Sequence, residues 1–435
     1  MSQPDTHDII IVGGGIVGAA LTCLAAAHGL RIALLEAHGP AALDRDEALD
    51  LRVSAVSRAA QNILTACGAW PEIRGVRISP YREMRVWDAD SRPFAHDALH
   101  FDSAELGEPE LGHIIENRVT RAALLNVLQT HSNVDLFQPA RPVSIELEDE
   151  CVRVTLQDDR RLAGRLVVGA DGSRSATRRL AGLPTAGSDY GQQAVVAHVH
   201  TRLPHGETAW QRFLPGGPLA LLPLADGRSS VVWSAPDLRA RELLSMDEAD
   251  FCAALGAGSD YVLGAIASAG PRAAFPLQAR HAPAYVRHRC ALIGDAAHVL
   301  HPLAGQGVNL GLLDAAALAE EIGKAIAAGD DPGDLGTLRR YERWRKGHNL
   351  AMLIALDGLQ RLFRSRAAPL RGLRRLGLAA VNRAGPVKRE FARRAMGLSG
   401  DLPRYARRDL GVTTVSLRPP APQRSAKDER SIGRP

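Results

Sequence analysis

The sequence predicts an α/β protein: a Rossmann-like nucleotide-binding domain, an inserted β-sheet domain, and C-terminal helices. Three observations lead there. A strand, a glycine turn and a helix open the chain at residues 7–36. Apolar strands with glycine exits recur far downstream, at 166–172 and 290–295. Between these two, residues 190–276 change texture to short strands separated by Pro/Gly turns.

The first unit has the context that the motif requires. Ile9-Ile10-Ile11-Val12 is a short apolar run, the pattern of a strand buried on both faces. Gly13, Gly15 and Gly18 then fit G-x-G-x-x-G, and an Ala/Leu-rich helix follows. Gly13 permits the tight turn, Gly15 lets backbone approach a pyrophosphate, and Gly18 lets helix pack on strand. Phosphate would sit on the helix N-terminus, where free N–H groups favour anions. A second strand, Arg31–Leu35, ends in Glu36, an acid suited to a ribose 2′-OH and repulsive to a 2′-phosphate. The site therefore suits FAD or NAD rather than NADP.

Taken in order, the stretch Leu49–Ser57 is followed by a helical pattern through Leu64 that stops at Gly68. Residues 76–102 alternate, and Glu116-Asn117-Arg118 precedes a helix over Val119–Thr130. Val143–Gln157 reads as a hairpin. Strands are expected at Gln193–Val199, Trp210–Leu214, Leu219–Pro223 and Ser230–Trp233, and a long helix at Gln306–Ala327. From Leu350 the chain reads as helical and basic, and about residues 415–435, rich in Pro, Arg and Ser, as disordered. The expected division is a nucleotide domain from 1–75, 111–185 and 281–345, a substrate domain from 76–110 and 186–280, basic helices at 346–410, and a tail at 411–435.

Two further motifs carry chemistry. Val168-Gly169-Ala170-Asp171-Gly172 runs into Arg174, Arg178 and Arg179; a solvated basic turn is the alternative reading. Gly294-Asp295 leaves another strand, and His298, His301, Gly305, Gln306, Gly307, Val308 and Asn309 lead into the helix. Asp295 suits ribitol hydroxyls. The glycines around Gln306 permit approach to a flat ring, and a helix N-terminus at the pyrimidine edge would stabilise an anionic reduced flavin. His298 and His301 are the acid–base candidates, set against a structural role in the loop. Trp210, Arg212 and Trp233 face either substrate or the sheet's own core, and the apolar stretch Leu219–Pro223 is expected to wall the pocket. One of Asn117, Arg118 and Arg121 is expected at the cofactor, with Asn117 preferred.

Composition excludes several classes. The chain has 435 residues with a formal net charge of +5, too weak a field to indicate nucleic acid. Five scattered cysteines without C-x-x-C indicate neither a disulfide framework nor a metal site. No secretory signal and no membrane-spanning run is evident, so a cytoplasmic protein is expected, peripheral at the inner face of the membrane if it touches one. The stretch Arg361–Arg394 holds eleven basic residues against the single acid Glu390, with leucines interleaved. It reads either as a solvated helix face or as a helix lying on an anionic membrane.

Gly13-x-Gly15-x-x-Gly18, Asp171-Gly172 and Gly294-Asp295, in this order, resemble the three fingerprints of class A FAD-dependent aromatic hydroxylases. The stretch His298–Asp314, with Glu116-Asn117, Gly217–Pro223, Val231-Val232-Trp233, Leu359–Phe363 and Met396-Gly397, resembles the ubiquinone-biosynthesis branch of that family. The resemblance covers residues 7 to about 403. It implies a glutathione-reductase-type FAD domain and a hydroxylase using FAD, NADH or NADPH, and O2. Such enzymes hydroxylate a phenolic ring, here a polyprenylphenol, through a C4a-hydroperoxyflavin. It further implies that Gly13, Gly15, Gly18 and Glu36 hold the ADP half and that Arg52 lies near pyrophosphate or flavin. Asp171 and Gly172 would meet FAD and transient NAD(P)H, Asp295 the ribitol, and Gly305–Asn309 the flavin ring. Docking to a biosynthetic complex or membrane surface would use residues 361–394. Other readings are a hydroxylase of another aromatic, an isoprenoid reductase or oxidase, and a non-catalytic flavin scaffold.

Overall fold

The computed structural model describes residues 5–39, 49–299, 306–364 and 385–408. Among these residues, a six-stranded sheet runs in the order Val286–Arg287, Cys290–Leu292, Leu166–Gly169, Ile9–Val12, Ile32–Leu35, Val134–Phe137. Its first pair is antiparallel and the other pairs are parallel. The three glycine-exit strands lie side by side, with Leu166–Gly169 between Cys290–Leu292 and Ile9–Val12. They are buried throughout, which is why each reads as an unbroken apolar run. Their exits therefore open at one end of one sheet, where ligands of such sheets bind.

The Ile16–Ala26 helix packs on the Gln306–Ala328 helix, with Gly311 close against Val17. A second, nine-stranded sheet runs from His298–Val299 through Ala273–His281, Ala186–Thr201, Ser229–Pro236, Gly217–Pro223, Thr208–Leu214 and Glu83–Asp88 to Leu99–Asp102, with Ile266–Ala269 beside Ala186–Thr201. Its edge strand, His298–Val299, directly follows the Gly294-Asp295 exit and pairs with Arg280 and His281. The two sheets thus meet at that motif.

Helix pairing is less local than the sequence suggests. Two helices, Asp237–Ser245 and Glu248–Gly258, interrupt the expected all-strand region and cover one face of the large sheet through Leu243, Phe251 and Leu255. The C-terminal helix begins at Leu335, ahead of Leu350, and runs unbroken to Arg364 across the expected boundary at 345. Ser79–Tyr81 pairs with Gly112–Glu116, which also pairs with Val53–Ser57, so a three-stranded sheet straddles the expected boundaries at 75 and 110. Further on, the Gly385–Ala395 helix sets Lys388 2.9 Å from Glu105, and Met396 accepts from Ala59 N. Residues 365–384 of the basic stretch and the expected tail at 411–435 lie outside the described residues.

Candidate active site

The glycine turn explains two of its glycines by protein and one by open space. Gly13 sits at φ 111°, and a Cβ there would overlap the Ala170 carbonyl. A Cβ on Gly18 would overlap the Gly13 carbonyl oxygen, so this glycine lets helix meet strand. A Cβ on Gly15, by contrast, would meet nothing within 4 Å. No protein atom requires glycine there, and the turn is left as an open cradle. Gly15 is also the N-cap of the Ile16–Ala26 helix and offers no side-chain cap, so the helix's first N–H groups stay available.

Glu36 closes one side of the cradle. Its Oε2 accepts from Gly14 N at 2.9 Å and its Oε1 from His38 N at 2.9 Å. Arg121 donates through Nε to the Gly14 carbonyl at 2.9 Å and lies 3.4 Å from Glu36 Oε2. Arg121, rather than Asn117, is thus the member of the 117/118/121 set that reaches the loop. The Asn117 side-chain oxygen accepts from Ser54 Oγ at 2.6 Å, and Arg118 donates to Glu116 at 2.9 Å. Asn117 holds its own helix to the neighbouring Val53–Ser57 strand.

Asp171 turns inward to its own segment. It accepts from Ser175 Oγ at 2.5 Å and from Thr177 N at 2.9 Å, which organises the short Ala176–Leu180 helix. Gly172 adopts φ 78° with open space at its Cβ position. Arg178 is buried rather than solvated: it donates to Ala296 O at 2.7 Å and Ser173 O at 3.0 Å, joining the second motif to the third.

At the third motif Gly294 takes φ 58°, and its Cβ position lies 3.3 Å from Val17. Gly311, one turn into the Gln306–Ala328 helix, would place a Cβ 2.6 Å from Val17. These two glycines bring the first turns of both long helices against the Gly294-Asp295 loop. Asp295 is solvent-exposed though protein surrounds it, as on the floor of an open cleft. That enclosure raises its carboxyl pKa, while the charges of His298 and Arg52 oppose the rise. Arg52 itself stacks on Phe275 at 5.5 Å. Gln306, Gly307 and Val308 open the helix, and Gly307 has open space at its Cβ position. Gly305 and His301 lie outside the described residues.

Two candidate residues turn their side chains to protein partners. Asn309 is 2% exposed; it accepts from Ser57 N at 3.0 Å and donates to Ala55 O at 2.8 Å. Its side chain is a strut to a strand, away from the cleft. His298 is also 2% exposed and donates to Asp314 Oδ2 at 2.5 Å. Enclosed in that pair, it ties the loop to the Gln306–Ala328 helix. Asp314, with Arg345 and Asn349 on the Leu335–Arg364 helix, forms a fully buried polar cluster that no local pattern announces. Burial would raise the Asp314 pKa; the charges of His298 and Arg345 outweigh it and hold the carboxyl well below the usual range.

The large sheet sorts by parity. Trp210 and Trp233 pack with Leu219, Leu221 and Trp87 beneath the two helices, and Arg212 donates to the Ala257, Gly258 and Ala89 carbonyls. These are structural positions. Along Gly217–Pro223, only the alternate residues Ala220 and Leu222 turn to the opposite face, where Leu222 packs with Val53, Ala55, Tyr81 and Ile114.

Comparison with known proteins agrees with this geometry. A family model described as FAD binding domain matches residues 6–353. The chain is 40% identical over 396 residues to ubiquinone hydroxylase UbiL of Rhodospirillum rubrum, covering 91% of each. It is 37% identical over 393 residues to 3-demethoxyubiquinol 3-hydroxylase of Escherichia coli, covering 90% of this chain and 98% of that one. In fold it is similar to PqsL of Pseudomonas aeruginosa, with a TM-score of 0.71 at 23% identity over 86% of this chain and 99% of that chain. p-Nitrophenol 4-monooxygenase of Pseudomonas putida gives a TM-score of 0.68 at 18% identity, over 90% and 98%.

Proposed function

The chain belongs to the FAD-binding-domain family, in its ubiquinone-hydroxylase branch, and from that premise we propose that it hydroxylates a polyprenylated phenol in ubiquinone biosynthesis. It is a flavoprotein monooxygenase with FAD as cofactor; NADH or NADPH serves as reductant and O2 as oxidant. The observation that carries the reading is three features gathered around Val17: the open cradle at Gly15, the Gly294-Asp295 loop with its exposed Asp295, and the first turns of the Gln306–Ala328 helix at Gly311. An extended dinucleotide needs all three at once.

Bound FAD supplies hydride acceptance from NAD(P)H and the activation of O2 toward the ring. The chain's residues supply the rest. Gly13, Gly15 and Gly18 let the backbone close on the pyrophosphate at the Ile16–Ala26 N-terminus, and Glu36 accepts from the adenosine ribose. Asp295 accepts from ribitol hydroxyls, with Arg52 beside it and Gly172 leaving room alongside. The N–H groups of Gln306, Gly307 and Val308, at the start of their helix, would favour negative charge on a flavin bound beside them. Val196, Ala220, Leu222 and Val232 give the large sheet an apolar face that keeps water from the reacting ring. In this reading residues 1–75, 111–185 and 281–345 bind FAD, and 76–110 and 186–280 receive the substrate.

Docking at a membrane surface or biosynthetic complex is supported by the basic stretch 361–394. On its described helix Phe391 is 66% exposed, flanked by exposed Arg389, Arg393 and Arg394. No helix among the described residues is long and apolar enough to cross a membrane. The function is tested with the FAD-loaded protein, NADH or NADPH, a prenylphenol and isotopically labelled O2. A hydroxylated product carrying one labelled oxygen supports it. Reduction of a prenyl double bond, or no turnover of any phenol, overturns it.

A further inference from the structure

The large sheet carries a buried polar pair on the face turned away from its two covering helices. Val195, Ala197 and Val199 of the Ala186–Thr201 strand, and Val231 and Trp233 of the Ser229–Pro236 strand, pack under the Asp237–Ser245 and Glu248–Gly258 helices. Residues of opposite parity face the cleft side. There the register sets His198 opposite Ser230, and Ser230 opposite Leu222. Leu222 packs against the three-stranded sheet, so this row lies between that sheet and the large one. The charges of Glu116 and Asp50, on the same side, act on His198, as do those of Arg228 and Asp226.

His198 is 3% exposed and Ser230 is fully buried. Even so, His198 Nε2 and Ser230 Oγ have no hydrogen-bond partner among the described residues. Buried polar atoms are normally paired, because leaving one unpaired forfeits its hydration. Two adjacent exceptions on the cleft-side face indicate a partner that arrives. Residues directly opposite across an antiparallel pair hold their Cβ atoms about 4.5–5.5 Å apart, so one oxygen atom can reach both side chains. In the next row on this face Val196, Val232 and Ala220 are small and apolar, and Gln211 stands at the row's far end, opposite Ala220. Burial, the largest influence on His198, lowers its pKa and favours the neutral ring, which both accepts and donates.

We propose that His198 and Ser230 form a polar anchor for an oxygen substituent of the phenolic ring, with Val196, Val232 and Ala220 against the ring's carbons. The proposal rests on the hydroxylase reading above. The pair selects oxygenated rings over unsubstituted ones, because an analogue lacking the oxygen leaves both buried groups unpaired.

The test compares 2-prenylphenol with prenylbenzene, which lacks the hydroxyl. Binding to the FAD-loaded protein is read from the perturbation of flavin absorbance, for wild type, His198→Leu, Ser230→Ala and the double variant. The expected result is phenol binding weakened by about tenfold or more, prenylbenzene binding unchanged or tighter, and FAD affinity unchanged. His198→Gln keeps a donor and an acceptor and should retain part of the preference; it serves where His198→Leu misfolds. A phenol-to-prenylbenzene ratio that is the same in all variants overturns the anchor while leaving the hydroxylase reading intact. A wild-type protein that binds no phenol overturns that reading, and the anchor with it.

Discussion

Asp314 and Arg345 form a salt bridge of 2.8 Å at 0% and 1% exposure, joining the helix that leaves the Gly294-Asp295 loop to the C-terminal helix. The same carboxylate accepts from Gly294 N at 3.2 Å, His298 at 2.5 Å and Asn349 at 2.9 Å. One buried anion thus ties the floor of the cleft to a helix 31 residues further along the chain.

Removing one member of a buried pair leaves the other charge uncompensated. Asp314→Ala is therefore expected to cost about 3–5 kcal/mol of stability, measured by urea denaturation of the FAD-free protein. Replacing Asp314 and Arg345 together by apolar residues should cost less than Asp314→Ala alone, since the Arg345 guanidinium is then no longer stranded.

Acid should weaken the fold in two stages. Burial, reinforced by Arg58 and Arg74, lowers the His113 pKa to about 4. The unfolded chain then binds a proton that the folded chain refuses between pH about 6.5 and 4, so stability falls across that window by about 1.4 kcal/mol per pH unit. Asp314 has a depressed folded pKa, so its contribution is present above the ordinary carboxylate range and is lost as pH falls below about 4. Denaturation of His113→Gln between pH 7 and 4.5 should show a flatter pH dependence than wild type.

The glycines separate ligand from protein. Gly15→Ala should leave the melting temperature of the FAD-free protein unchanged, because its Cβ meets no protein atom, yet weaken FAD binding. Gly18→Ala should destabilise the FAD-free protein by about 1–3 kcal/mol, the usual cost of overpacking. Calorimetry with and without FAD reads both.

Glu36 and Arg121 act on one loop, so their substitutions should not add. Glu36→Gln and Arg121→Ala are each expected to weaken FAD, and the double variant to lose less than the sum, with a coupling of about 0.5–3 kcal/mol. Fluorescence titration of FAD measures the cycle. Strict additivity would separate the two residues.

What the sequence reveals and what it hides divide along physical lines. The strands Ile9–Val12, Leu166–Gly169 and Cys290–Leu292 are legible because burial on both faces makes each an unbroken apolar run, and glycine marks each exit. The parity of Gly217–Pro223 is not legible: its run of leucines lacks the alternation that would show that Ala220 and Leu222 turn away from the helices. Asn309 and His298 look like site residues because they sit beside the glycines, yet tertiary partners far along the chain, Ser57 and Asp314, decide where they point. Arg121 reaches the glycine loop only because a helix begins at Asn117, a register that propensity leaves loose. The helices at 237–258 carry buried Leu243, Phe251 and Leu255, yet they sit among strands and Pro/Gly turns, and that texture hides them.

The central claim is that this cleft uses FAD to hydroxylate a prenylated phenol. Its most direct test is anaerobic reduction of the FAD-loaded protein by NADH or NADPH, with and without a prenylphenol, followed by admission of air. The account predicts flavin bleaching that accelerates when the phenol is present, then a hydroxylated phenol once O2 enters. Bleaching indifferent to every phenol, or bound FAD that neither nicotinamide reduces, would contradict it.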